Sequence, residues 1–183
     1  MTVSAQSDKT YVRAHFADLA DLCGALGFDL LTIRREFRDG LRPRPSYVFD
    51  DGTEFVPHNY FEQETQLERF VARLRTRAKV IGYTLSEGDC DEIWSDYLQG
   101  TYGICLRHVS PENIVEKGYL VDKIETLIGA PREHDPVWIG TLRKHVDALD
   151  ALERPFCDYD RQAAGGSVSR DRLVTAIRKT FNV

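Results

Sequence analysis

Apolar residues recur along most of this chain with helical spacing, and in only one place do they alternate as in a strand. A first helix is predicted to end near 16, with Asp8 or Thr10 able to cap it. A second is predicted over 17–24, with Leu19, Leu22 and Cys23 on one face. A third covers 30–38. Asp29 stands at its N-cap, Leu30, Ile33 and Phe37 are spaced for burial, and Gly40 is placed to end it in a left-handed conformation. Pro43 and Pro45 then forbid helix and favour an extended arm. Tyr47, Val48 and Phe49, a turn at Asp50-Asp51-Gly52, and the stretch 53–56 read as a small β-hairpin.

Beyond the hairpin the pattern is helical to the end. Pro57 and Asn59 open a long helix predicted to reach about 80, with Phe61, Leu67, Phe70, Val71 and Leu74 as its apolar stripe and Gly82 as its stop. Its second half is basic (Arg69, Arg73, Arg75, Arg77, Lys79), which suits a helix C-terminus. A helix over 90–106 follows, capped from within 86–89. Ser110-Pro111-Glu112 supplies a Ser N-cap, a proline at the first position and then an acid, opening a helix to 128 that Gly129 stops. Asp135-Pro136 repeats the device for a helix to about 153, which Pro155 breaks. The stretch 156–166 reads as irregular, and Ser169 caps a last helix. The predicted fold class is mainly α. A winged helix-turn-helix-like module with one small β-hairpin occupies 1–57, and a helical bundle occupies 58–183, packed with it as one compact unit.

Composition narrows the class. The 183 residues are 42% hydrophobic and 29% charged, enough for a core without disulfide or metal staples. Lys and Arg number 24 against 29 Asp and Glu, a formal net charge of −5. That argues against nucleic acid covering most of the surface but leaves room for a local basic patch. Cys23, Cys90, Cys105 and Cys157 are scattered without a CxxC pair, so they read as free thiols in a reducing cytosol. The N-terminus lacks a secretory apolar region and no apolar run reaches membrane length, so a cytoplasmic protein without a membrane partner is expected. His58 and Glu62 stand one helical turn apart and could share a metal, but a surface pair at a helix start is the plainer reading. His134 and His145 read as solvated. With no phosphate loop, no Gly-x-Ser-x-Gly and no dinucleotide fingerprint, neither cofactor nor metal is expected.

The stretch 89–108 is the densest in reactive and aromatic side chains. On one helix Trp94, Tyr97 and Cys105 can line one side, while Gly100 and Gly103 leave a notch for tight packing, a kink or a ligand. Tyr97, Tyr102, Cys105, Arg107 and His108 are the catalytic candidates. Cys105 and His108 have a spacing that permits a nucleophile pair, with a plain buried cysteine as the alternative. The ligand-binding candidates are Trp94, Asp158, Tyr159 and Arg161. The last three lie in a loop that could close over a pocket, or that serves as a connector in which Arg161 pairs with an aspartate.

Residues 17–49 resemble the DNA-binding headpiece of the MerR family, in which a short helix and a recognition helix are followed by a Gly-Leu-x-Pro turn into a wing. The resemblance implies that 30–38 is the recognition helix. Arg34, Arg35 and Arg38 would then meet phosphates or guanine edges, with Arg42 and Arg44 on the wing arm. The family's Arg-Tyr-Tyr-Glu run is here Arg34-Arg35-Glu36-Phe37, and its Gly-Tyr-Arg wing signature is missing. Asp39, Asp50, Asp51 and Glu54 put negative charge beside the groove face. Other segments resemble an uncharacterised bacterial family of small natural-product biosynthesis proteins of unknown function. They are Leu41-Arg-Pro-Arg-Pro-Ser-Tyr47, 94–106, 110–114, 156–161 and 165–170. This implies a small tailoring enzyme or an accessory protein with a ligand pocket in the bundle. Its implied partners are a small-molecule or peptide-like biosynthetic intermediate and a second protein. The alternative is a MerR-like DNA-binding regulator, for which nucleic acid is the partner.

Overall fold

The computed structural model describes residues 2–183 and is mainly helical with one small sheet. The first part runs α1 (Gln6–His15), β1 (Ala17–Asp18), α2 (Leu19–Leu26), α3 (Leu30–Arg38), β2 (Tyr47–Val48) and β3 (Glu54–Val56). The strands form an antiparallel sheet in the order β1-β3-β2, with Ala17 opposite Val56 and Tyr47 opposite Phe55. The hairpin is therefore joined by a third strand where the periodicity predicts the first turn of a helix. Asp18 decides this. Its carboxylate accepts the amides of Ala20 and Asp21, so the helix starts after it, and the extended residues before the cap pair with a strand nearly forty positions away. Asp29 caps α3 as expected, and Gly40 follows it at φ +71°.

The remainder runs through a 3-10 turn (Tyr60–Glu62), α4 (Leu67–Ile81), α5 (Glu87–Leu98), α6 (Thr101–Cys105), α7 (Pro111–Gly129), α8 (Pro136–Leu152) and α9 (Asp158–Ala163). A π turn (Asp171–Thr175) then leads directly into α10 (Ala176–Phe181). Ser86, Ser110 and Asp135 cap α5, α7 and α8 with their side chains, and Pro111 and Pro136 open the latter two.

Three expectations change. The long helix predicted from 59 is interrupted, because the side chain of Asn59 is spent on the backbone of Val109 and buried Glu64 accepts the amides of Thr65 and Gln66 ahead of α4. The helix predicted over 90–106 breaks at Gly100, where φ is +81°. A Cβ there would stand 2.6 Å from the carbonyl oxygen of Arg44, and one at Gly103 would run into the Ser46 hydroxyl. The notch thus receives the Pro-rich arm, whose Arg44 amide donates to Leu98. Finally, 158–163 is helical rather than irregular, and the Ser169 hydroxyl points away from any cap to donate to Glu153.

Helix α7 is the spine. It packs on α4 on one side and α8 on the other. Arg73–Glu112 and Arg77–Glu116 clip its first half to α4. One apolar cluster centres on Phe70, Leu74, Tyr97 and Leu106, a second on Ile124, Leu142, Leu149 and Leu173. Phe16, Tyr47, Phe49 and Cys157 form a third, which ties the N-terminal sheet to the segment after α8.

Candidate functional site

The segment that leaves α8 carries two consecutive charges with almost no exposure, Glu153 at 0% and Arg154 at 5%. It is pinned by a short antiparallel bridge, Leu106 opposite Glu153, in which the Arg154 amide donates to Cys105 and the Arg107 amide to Leu152. In extended chain successive side chains point to opposite sides. Arg154 turns towards the N-terminal segment. Its guanidinium donates to the carbonyls of Leu106 (2.9 Å), Arg107 (2.9 Å) and His15, and lies over the Phe16 ring at 4.4 Å.

Glu153 turns the other way. One carboxylate oxygen accepts from the Lys117 ammonium at 3.0 Å and from the Ser169 hydroxyl at 2.6 Å. The other oxygen is buried and has no hydrogen-bond partner among the described residues. Burial works against the charge on Lys117, but Cys105 and Glu153 beside it outweigh that and hold its pKa above the ordinary lysine value. The Cys105 sulfur also lies 3.6 Å from the Tyr102 carbonyl.

Cys105, Lys117 and Ser169 line a cavity of about 490 Å³ between α6, α7, α9 and the end of the Pro-rich arm. Ile104, Phe156 and Val168 give it apolar wall, and Ser46, Thr101 and Ser167 give it hydroxyls. The Ser46 oxygen is buried without a hydrogen-bond partner among the described residues. Tyr159 and Asp160 close the far side. Asp160 is 5% exposed. It accepts from the Tyr47 hydroxyl at 2.8 Å and from the Cys157 amide and thiol at 2.9 and 3.3 Å. Burial, with the Asp160 charge adding to it, pushes the Cys157 thiol up to about 12, and the same two causes hold the Tyr47 phenol well above its ordinary value.

The candidates from the sequence fall in several places. Cys105 and Tyr159 line the cavity. Tyr102 lies just outside it and shares with Lys117 a second, smaller hollow of about 340 Å³ on the α5 side; burial first, then Asp96, raises its phenol. Tyr97 is core, its hydroxyl donating to Glu64 and its ring packed with Phe70 and Trp94. Trp94 belongs to the same aromatic group. Arg107 and His108 are exposed, and His108 stands 3.4 Å from the Asn59 amide while Cys105 is buried and shares the cavity wall with Lys117. Asp158 is exposed. Arg161 pairs with Asp171 and Asp158 and donates to the Phe156 carbonyl, the connector arrangement.

On α3 and the arm, Arg34 is paired with Glu54 at 2.7 Å. Arg42 is paired with Glu36 at 2.8 Å and lies over Tyr60 and Phe61. Arg38 turns back to the Arg34 carbonyl, and Arg35 and Arg44 are exposed. His58 and Glu62 are exposed, and among the described residues no group of three or more His, Cys, Asp or Glu is placed to hold a metal ion. No described helix is long and apolar enough to cross a membrane.

Lys117, Glu153, Asp160 and Ser169 are absent from the sequence-based candidates, yet two of them carry a signal. Lys117 falls in phase with Ile114, Val121 and Ile124 on the buried side of α7, where a charge needs a partner. Glu153 and Arg154 stand between Leu152 and Pro155, a helix exit that the fold buries.

A model of the family of unknown function DUF6058 matches residues 58–182. No curated protein and no solved structure matches the chain.

Proposed function

The chain belongs to the DUF6058 family, whose function is unknown, and from the cavity built largely by the matched segment we propose that it is a small-molecule-binding protein. Its setting is the biosynthetic one suggested by the sequence, as an accessory protein or small tailoring enzyme. One observation carries this reading. Lys117 and the Cys105 thiol line a cavity of about 490 Å³, and Lys117 is paired there with the fully buried Glu153, whose second carboxylate oxygen has no partner among the described residues. A buried ion pair stabilises a fold poorly compared with apolar residues of the same volume. A cavity within the range of ligand pockets, with a few convergent polar groups on an apolar wall, is the usual form of a binding site. The test is native mass spectrometry of the protein purified from its own cells, beside Ala164→Trp, which fills the cavity from its rim. A bound compound retained by the wild type and lost from the variant is expected. Equal retention by both, or none by either, overturns the reading.

A second reading has its own observation. The order helix–strand–helix–helix–strand–strand, with β1 pairing β3, fits a winged helix-turn-helix. Arg35, Arg38 and Arg44 would then be its phosphate contacts. With Arg34 and Arg42 committed to Glu54 and Glu36, and Asp50 and Asp51 at the hairpin tip, the expected affinity is micromolar or weaker and steeply salt-dependent. Titration against the DNA upstream of its own gene at physiological salt measures this. Nanomolar binding that collapses in Arg35→Ala/Arg38→Ala, with folding unchanged, would make the protein a regulator.

A further inference from the structure

We infer that the ligand of the Cys105–Lys117 cavity is a compact molecule bearing a protonated amine on an apolar body; this rests on the binding reading above. Most of the charges near the cavity are already used. Arg154 has given every guanidinium nitrogen to a carbonyl. Arg161 is held by Asp171, Asp158 and the Phe156 carbonyl. Lys117 is held by Glu153. On the acceptor side, Glu153 is spent on Lys117 and Ser169 and does not line the cavity, whereas Asp160 lines it and has only a hydroxyl, an amide and a thiol for partners. Among the described residues Asp160 makes no ion pair. With Lys117 committed to Glu153, the wall is left with one carboxylate, Asp160, that no cation meets.

A ligand ammonium fits that carboxylate. Charge-assisted hydrogen bonds to a carboxylate are about twice as strong as neutral ones. An anionic ligand fits badly. To reach the one ammonium in the wall it would displace Glu153, leaving a carboxylate of 0% exposure without a counter-charge, and it would face Asp160 across the cavity. Ile104, Phe156 and Val168 supply the apolar surface for the rest of the molecule, and the hydroxyls of Ser46, Thr101 and Ser167 suit further polar substituents.

Three probes of one shape separate the possibilities: phenethylamine, phenethyl alcohol and phenylacetate. Each is titrated into the isotope-labelled full chain while the backbone amides of Thr101, Tyr159 and Ser169 are followed by NMR. The amine is expected to move these amides and to bind about tenfold or more tighter than the alcohol, with phenylacetate weakest. Asp160→Asn should narrow the preference for the amine, and the wild-type ranking alone decides if that variant does not fold. If alcohol or acid binds as tightly as the amine, the inference fails while the cavity reading stands. If no probe moves the cavity amides but the native protein retains a compound that Ala164→Trp loses, the inference again fails alone. If neither occurs, both fail.

Discussion

Glu153 and Arg154 are neighbours in sequence, equally buried, and serve two regions with opposite logic. Around Arg154 every donor is met. A planar fork reaches the carbonyls of Leu106, Arg107 and His15 at once, and its face covers Phe16. This joins the N-terminal segment to the crossing of the α6 and α8 exits, and leaves no group for anything else. Around Glu153 the wiring is incomplete. Lys117 and Ser169, both in the wall of the cavity, converge on one carboxylate oxygen, and the other oxygen has no partner among the described residues. A saturated buried charge is a joint, whereas an unsaturated one held from a cavity wall marks a place to bind.

The largest expected effect comes from breaking the joint. Arg154→Met orphans the three carbonyls and should cost about 4 kcal/mol or more in denaturant unfolding. Arg154→Lys should recover little, since an ammonium cannot span three acceptors set for a fork. A lysine variant as stable as the wild type would show that burial rather than geometry makes the joint.

On the other side, Lys117→Met leaves Glu153 buried without its cation and should cost about 3–5 kcal/mol. Adding Glu153→Gln should restore most of that, and the amine probe should still bind, because Asp160 is untouched. A double variant no more stable than the single one would show that the uncompensated charge on Glu153 is not the source of the loss.

Between the two regions lies the glycine notch. Gly103→Ala drives a methyl into the Ser46 hydroxyl and to 3.1 Å from Pro57, so it should cost about 1–3 kcal/mol and shift the arm that edges the cavity. The check is a thermal melt together with the probe titration, and an unchanged melt would show that the arm yields freely.

The smallest effect is pH-dependent and belongs to the joint. His15 has its pKa held below the ordinary value by burial first, then by Arg154 and Arg107. A depressed histidine keeps its contribution in full above about pH 6.5, where the unfolded side chain titrates, and loses it as the pH falls through the lower folded value. Stability should decline modestly below about pH 6.5. His15→Gln should flatten that decline, and an identical acid limb in the variant would place its cause elsewhere.

Much of the architecture was legible in the chain because it rests on local chemistry. Asp29, Ser86, Ser110 and Asp135 cap the helices at whose starts they stand, since an N-cap needs only amides two or three residues away. The mainly helical class follows from the 3.6-residue spacing of the apolar positions. Tertiary structure decided everything that depends on a distant partner. Ala17 and Asp18 are a strand because Val56 and Phe55 are there to pair with them. Gly100 is a break because the backbone of Arg44 needs its space. Cys105 met Lys117 rather than the nearby His108, because α6 ends at Cys105 and the chain continues extended into the bridge with Glu153. A buried charge can be suspected from its place on an apolar face, as at Lys117. The partner that neutralises it lies 36 positions away in Glu153, and only the packing of α7 against the exit of α8 brings the two to 3.0 Å.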